Sequence, residues 1–115
     1  MPLTDLSFLR EFCRNDRQKM AHYVKTFLES VPEIMNELNL RLSENDPVTL
    51  KKTVHAIKPQ VTFLGLEGLK EQVEGIELAI ENSASSEQLA SMVNQMKSSL
   101  EHAADELVET LISLS

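Results

Sequence analysis

Apolar residues recur at every third or fourth position through almost the whole chain, and this period most constrains the fold. The clearest stripe comprises Met20, Val24, Phe27, Val31, Ile34, Leu38 and Leu42. Similar stripes run through residues 50–64, 66–80 and 89–114. Such spacing places apolar side chains on one face of an α-helix. No segment shows the strict alternation of a half-buried strand, so the sequence predicts an all-α protein.

Short polar turns separate these stripes into individual helices. We predict four substantial helices at about 17–44, 47–64, 66–82 and 87–113, preceded by a short helix that starts after Thr4. Amphipathic helices joined by short turns bury their apolar faces by packing antiparallel to one another. The prediction is therefore an antiparallel up-down four-helix bundle with a short extra N-terminal helix, a single domain over residues 1–115.

Local signals predict where the helices begin and end. Thr4 is the expected N-cap of the first helix and Asp16 that of the second. Asp46 followed by Pro47 is a strong start signal for the third helix, because proline is favoured at the first helical position. Gly65 is expected to end that helix, since glycine readily adopts the left-handed conformation of a C-terminal cap.

Two prolines fall inside predicted helices. A proline in a helix interior removes one backbone hydrogen bond. We expect Pro32 to bend or break the second helix. We expect Pro59 to kink the third helix without ending it, because Val61 and Leu64 continue the apolar stripe in phase.

The net charge and the single cysteine exclude several classes of function. The chain has 11 Lys and Arg against 18 Asp and Glu, a formal charge of −7, which argues against nucleic-acid or anionic-membrane partners. No apolar run is long enough to span a membrane, and the N-terminus lacks the pattern of a secretory signal. Cys13 cannot form an internal disulfide. We expect a cytoplasmic chain that is monomeric.

One short segment differs from this acidic background. Residues 46–65 contain Lys51, Lys52 and Lys58 against a single acid, whereas residues 66–115 carry a net charge of −8. Residues three and four apart on a helix are surface neighbours, so all three lysines border His55. Nearby cations disfavour protonation of the ring, which keeps the lone pair that a nucleophile requires. They would also attract a dianionic group placed on the ring.

The turn at Gly65 predicts what faces His55 from the next helix. His55 lies 10 residues before Gly65, and Glu77 lies 12 residues after it. At about 1.5 Å per residue these positions reach similar heights on two antiparallel helices. The Glu77 carboxylate could then accept a hydrogen bond from Nδ1–H and leave Nε2 as the nucleophile. The alternative is that Glu77 is an ordinary surface residue.

The stretch V-H-A-I-K-P-Q-V-T-F-L-G from Val54 resembles the signature of histidine-containing phosphotransfer (HPt) domains of bacterial phosphorelays. That signature has a histidine, a lysine three residues later and a glycine ten residues later, here His55, Lys58 and Gly65. Pro59 stands where the family usually has glycine. Glu77 stands 22 residues after the histidine, where the family often has glutamine or glutamate. The order and number of helices also fit this family.

The resemblance implies a phosphocarrier without a kinase domain of its own, and not an enzyme. His55 would accept a phosphoryl group from a receiver-domain aspartyl phosphate and pass it to another receiver. Lys58 would screen the phosphoryl charge, with Lys51 or Lys52 in a lesser role. The chain would need no cofactor, because Mg²⁺ is expected in the partner receiver domain.

The same resemblance implies the partners and the remaining site residues. The partners would be response-regulator receiver domains and a hybrid sensor histidine kinase. Gln72 would form part of the docking surface with Glu77 and Lys58. Pro59 would keep the room that glycine usually leaves, and Thr62 would be a supporting residue of the same segment. Apolar residues of the first helix and around His55 would also contact the receiver domain.

Three other functions are known for helical bundles that contain histidine, and the sequence argues against the first two. A di-iron bundle would need paired Glu-x-x-His elements, which are absent. A sensor-kinase dimerisation domain normally has an acidic residue after the histidine, where this chain has Ala56. A non-phosphorylated helical-bundle adaptor that binds signalling proteins remains the main alternative. Two further histidines, His22 and His102, lie off the apolar stripes and are predicted to be solvated surface residues.

Overall fold

A computed structural model describes residues 4–114, and the structural statements below concern that part of the chain. It contains helices α1 (Ser7–Phe12), α2 (Arg17–Ser43), α3 (Pro47–Phe63), α4 (Glu67–Glu81) and α5 (Ser86–Leu114). The four long helices match the predicted ranges to within one residue at each end. The predicted all-α class is confirmed. Residues 1–3 and 115, which belong to the predicted domain, lie outside the described residues.

The four long helices form a closed ring in which each contacts two neighbours. Helix α3 lies against α2 and α4, and α5 completes the ring by contacting both α2 and α4. Helices α3 and α4 are antiparallel, since Lys51 pairs with Glu81 and Lys58 pairs with Glu74. The bundle is 44 Å along its longest dimension. This equals the length of α5 at about 1.5 Å per residue. None of the described helices is both long and apolar enough to cross a membrane.

The apolar stripes meet in one continuous core along the bundle axis. On α3 the buried residues are Leu50, Val54, Ile57 and Val61. On α5 they are Leu89, Val93, Met96, Leu100, Ala103 and Leu107. Ile34, Leu42 and Ile80 of the predicted stripes are only partly buried. Removing apolar surface from water is the main favourable term in folding, so this core fixes which face of each helix remains available for function.

The helix start signals at Asp16 and Asp46 are confirmed. The Asp16 side chain accepts hydrogen bonds from the backbone N–H groups of residues 18 and 19. The Asp46 carboxylate accepts hydrogen bonds from the hydroxyl and the backbone N–H of Thr49, at 2.6 and 3.2 Å. These hydrogen bonds hold the pKa of Asp46 below its ordinary value. Pro47 occupies the first position of α3.

The prediction that Thr4 caps the first helix is wrong. Helix α1 begins only at Ser7, and Leu6 at its N-cap makes no side-chain hydrogen bond. The Asp5 carboxylate instead accepts hydrogen bonds from the backbone N–H and hydroxyl of Ser7. Thr4 donates its backbone N–H to Glu106 of α5 at 3.0 Å. The Thr4 hydroxyl, which would have been the capping group, donates to Oε1 of Glu106 instead.

Both helices that contain an internal proline continue past it. Helix α2 includes Pro32 without a break, and α3 includes Pro59 and ends at Phe63. The expectation that Pro59 does not end α3 is confirmed. Because Pro59 has no N–H, the carbonyl of His55 lacks its usual helical donor.

The turn between α3 and α4 is built around Gly65. Leu66 N–H donates to Val61 O at 2.8 Å and Gly65 N–H donates to Thr62 O at 3.1 Å, the two hydrogen bonds of a Schellman motif. Gly65 has φ +68°, and a Cβ there would lie 1.8 Å from the carbonyl oxygen of Asp5. Asp5 N–H donates to Gly65 O at 3.1 Å. The turn therefore also holds the segment that leads into α1.

We predict that Gly65→Ala destabilises the protein by at least about 1–2 kcal/mol, because a side chain is unfavourable at positive φ and would collide with the Asp5 backbone. Gly68→Ala is the matched control, since a Cβ at that helical position meets nothing within 4 Å. It should be neutral or stabilise by up to about 1 kcal/mol. Urea unfolding of wild type and both variants measures the change in the free energy of unfolding. Equal stabilities would contradict the structural role of Gly65.

Candidate functional site

His55 lies on the exposed flank of α3, one residue past the buried face. Its side chain is 65% exposed, whereas the preceding Val54 is fully buried. The helix thus anchors the backbone through the core while the imidazole projects outward. This position makes the ring accessible to another macromolecule.

Glu77 of α4 contacts the ring from the side. Its Oε2 lies 3.0 Å from Nδ1 of His55, and its side chain is only 16% exposed. Because a carboxylate accepts hydrogen bonds and does not donate them, Nδ1 carries the proton in this contact. In the neutral ring the lone pair is then on Nε2, which has no hydrogen-bond partner among residues 4–114. The predicted contact between His55 and Glu77 is present.

Two ion pairs flank this contact in the same antiparallel register. Lys51 lies 2.8 Å from Glu81, and Lys58 lies 3.3 Å from Glu74. The lysines and His55 form one edge of α3, and their acidic partners form the facing edge of α4. The positive charge predicted around His55 is therefore balanced by carboxylates. Sequence reasoning missed Glu74 and Glu81, although the register that placed Glu77 opposite His55 also predicts both.

Lys52 lies on the other flank of His55. It lines a groove of about 760 Å³ between α2 and α3, together with Glu37 and Arg41. Arg41 bonds to Glu37 and Glu44, each at 2.7 Å, and these hydrogen bonds raise the pKa of its guanidinium. Lys52 is thus a neighbour of His55 that faces α2, whereas Lys51 and Lys58 face α4.

The structure does not bring Gln72 to His55, which corrects the predicted docking surface. Gln72 lines a small cavity of about 90 Å³ between α4 and α5, beside Leu69 and Ser99. Its side-chain oxygen is buried without a hydrogen-bond partner among the residues described. The physical reason is helical phase, because five residues separate Gln72 from Glu77 and at about 100° per residue they point to different sides of α4.

Pro59 and Thr62 line a shallow depression beside His55. It has a volume of about 310 Å³ and is also bordered by Lys58, Phe8 and Phe63. Proline presents only its compact ring here, so the surface next to the imidazole stays open. Pro59, Thr62 and Lys58 therefore share one surface with His55.

An exposed aromatic cluster extends from this depression. Four of the five aromatic residues of the chain take part: Phe8, Phe12, Tyr23 and Phe63. Their contacting ring centroids lie 5.1 to 6.4 Å apart, in stacked, tilted or edge-to-face arrangements. Phe8 and Phe12 are 55% and 58% exposed. Exposed apolar patches of this kind mark interaction sites.

Helix α1 presents the rings of Phe8 and Phe12 outward because its other side is buried. Leu9 is fully buried and Cys13 is 3% exposed. The structure places Cys13 in the core, whereas Phe12 lies on the surface. Burial raises the pKa of the Cys13 thiol, so this side chain acts as a small apolar group. The individual aromatic residues were not predicted, although apolar residues of the first helix were expected to contact a receiver domain.

The other two histidines lie on α2 and α5, away from the edge of α3 that carries His55. His22 and His102 are exposed, as predicted. The ring of His22 makes an edge contact with Tyr23 at 5.8 Å. Within residues 4–114 no group of His, Cys, Asp and Glu side chains is arranged to hold a metal ion. His55 is therefore the histidine that combines exposure with a carboxylate contact.

A family model described as Hpt domain matches residues 22–110, which include the whole edge of α3 and α4 described above. The chain belongs to the Hpt domain family. Hpt domains are phosphotransfer carriers of two-component phosphorelays and generally interact with receiver domains and histidine kinases. Neither a curated protein nor a solved structure matched the chain.

The matched range excludes α1 of this Hpt domain. Phe8 and Phe12 therefore lie outside it, whereas Tyr23 and Phe63 lie within it. The aromatic cluster thus joins a segment that the family model covers to one that it does not. The matched range covers most of the four-helix bundle, including the facing edges of α3 and α4 around His55.

We predict that Glu77 determines the tautomer of His55. In Glu77→Ala the population of the Nε2–H tautomer relative to Nδ1–H should rise about fivefold, because a hydrogen bond contributes about 1 kcal/mol net. Nitrogen-15 NMR of the imidazole measures this ratio. Glu81→Ala, which removes a carboxylate from the same face one turn away, should leave it unchanged. Identical ratios in wild type and Glu77→Ala would show that Glu77 does not orient the ring.

Proposed function

We propose that this Hpt domain is a phosphohistidine carrier in which Nε2 of His55 accepts a phosphoryl group from a receiver-domain aspartyl phosphate and passes it to another receiver aspartate. The observation that carries the proposal is the combination of an exposed Nε2 with an Nδ1 held by Glu77 at 3.0 Å. Membership in the Hpt family supports it.

The transfer step follows from the state of the ring. The Nε2 lone pair attacks phosphorus, the bond between phosphorus and the aspartate oxygen breaks, and its electrons stay on the carboxylate. The ring then carries a proton on Nδ1 and phosphorus on Nε2, so it is formally an imidazolium. The Glu77 carboxylate next to Nδ1 stabilises that positive charge. Transfer to a second receiver reverses these bond changes.

The cations near His55 would offset the charge of the phosphoryl group. Lys58 is three residues from His55 and shares its depression, so it takes the main role, with Lys51 in a lesser one. Lys52 would act from the opposite flank. Phosphoryl transfer depends on positioning and charge neutralisation. The partner receiver would supply Mg²⁺, and no cofactor is assigned to this chain.

The aromatic cluster and the depression beside His55 form the proposed docking surface for the receiver. Their rings offer apolar area next to the phosphoacceptor, and aromatic residues often dominate binding energy at interfaces. We extend the proposal to a hybrid sensor histidine kinase as the upstream partner and to a monomeric carrier. A cytoplasmic setting fits Cys13, a free and buried thiol.

Incubation with a labelled, phosphorylated receiver domain tests the assignment. Wild type should gain an acid-labile and alkali-stable phosphoryl group, and His55→Gln should gain none. His102→Gln is the matched control and should label normally, because His102 is also exposed but lies on α5, which contributes no residue to the aromatic cluster. Equal labelling of His55→Gln and wild type would refute the assignment to His55. If wild type binds the receiver without acquiring phosphate, the adaptor alternative is correct.

We predict that Phe12→Ala weakens receiver binding about tenfold, since a buried aromatic contact at an interface contributes about 1–2 kcal/mol. Val48→Ala is the control, because Val48 is 65% exposed but lies in the first turn of α3, away from the aromatic cluster. Isothermal titration calorimetry with the receiver measures both. Equal affinity of the two variants would place the docking surface elsewhere.

A further inference from the structure

Lys58 already has an anionic partner before any phosphoryl group is present. Its Nζ lies 3.3 Å from Oε2 of Glu74, and the two side chains are 32% and 48% exposed. An ion pair this exposed is weak and exchanges readily, because water screens both charges. The lysine assigned to screen the phosphoryl group is therefore held by a partner that can release it.

Lys58 neighbours both Glu74, across on α4, and the phosphoacceptor, along α3. Lys58 is three residues from His55 on α3, so their side chains are surface neighbours. Glu74 faces Lys58 from α4, three residues before the glutamate that contacts His55. A phosphoryl group carries a charge of about −1.5 to −2, against −1 for a carboxylate. Phosphorylation of Nε2 thus gives Lys58 a stronger alternative partner within its reach.

We propose that Glu74 competes with the phosphoryl group for Lys58 and so lowers the phosphoryl affinity of His55. This inference rests on the proposed function and adds a residue that sets its equilibrium. Glu74 acts through Lys58 and is a positioning residue without contact to the reacting atoms. Its effect keeps the carrier from retaining the phosphoryl group and favours release to the next receiver.

The neighbouring residues of α4 separate this effect from the general charge of the helix. Glu71 is also exposed on α4, and it forms no ion pair within the described residues. Glu71→Gln removes the same charge as Glu74→Gln while leaving the pair with Lys58 intact. Any difference between the two variants therefore reports the specific contact.

The equilibrium constant for phosphoryl exchange between a phosphorylated receiver and the full chain tests the proposal. Glu74→Gln should shift it toward phosphohistidine about two- to fivefold, the range expected for loss of an exposed ion pair. The equilibrium constant of Glu74→Asp should lie between those of wild type and Glu74→Gln, and that of Glu71→Gln should match wild type. The shift should shrink at high salt, because screening weakens the pair.

A double-mutant cycle shows whether Lys58 mediates the effect. Glu74→Gln introduced into Lys58→Ala should cause no further shift. If Glu74→Gln and Glu71→Gln behave alike, or if the shift persists without Lys58, the competition is refuted while the carrier function stands. If wild type does not take up phosphate on His55, the proposed function fails and this inference fails with it. Thermal unfolding of each variant confirms that its fold is intact.

Discussion

The register between α3 and α4 is the constraint on which the site depends. It is set by the turn at Gly65, whose positive φ and hydrogen bonds reverse the chain within a few residues. Core packing of the two apolar faces then keeps the helices at matching heights. Because of this register, His55 meets Glu77, and the lysine on each side meets its own glutamate. A shift of one residue would turn these side chains away from one another.

The same turn connects the site to its proposed docking surface. Gly65 contacts the backbone of Asp5, which leads directly into α1. Helix α1 is only six residues long and buries little more than Leu9 and Cys13. Its position over the bundle therefore depends on contacts with distant residues, among them Glu106. A local change at the turn would therefore affect both the facing edges of α3 and α4 around His55 and the aromatic cluster.

Much of the fold could be predicted because its determinants are local. Periodic apolar residues and capping residues such as Asp16 and Asp46 act over one or two helical turns. The contact between His55 and Glu77 could also be predicted, since a short turn between antiparallel helices converts sequence distance into height. Thr4 failed as a cap because its partner comes from the other end of the chain. Local sequence patterns do not predict such hydrogen bonds between residues far apart in the chain.

The parts of the site that were not predicted depend on helical phase and on side-chain partners. Gln72 is close in sequence to Glu77 but faces α5. The lysines near His55 were expected to leave a positive surface, whereas two of them are paired with glutamates. The aromatic cluster combines residues from three helices, so no single stripe reveals it. These features become visible only when the helices are assembled.

Glu77 contacts Nδ1 of His55, which leaves Nε2 as the proposed phosphoacceptor. The most direct measurement is nitrogen-15 and phosphorus-31 NMR of the phosphorylated chain, with the imidazole nitrogens labelled. We predict a phosphorus–nitrogen coupling to Nε2 of His55, with a proton retained on Nδ1. A phosphoryl group on Nδ1, or on any residue other than His55, would contradict it.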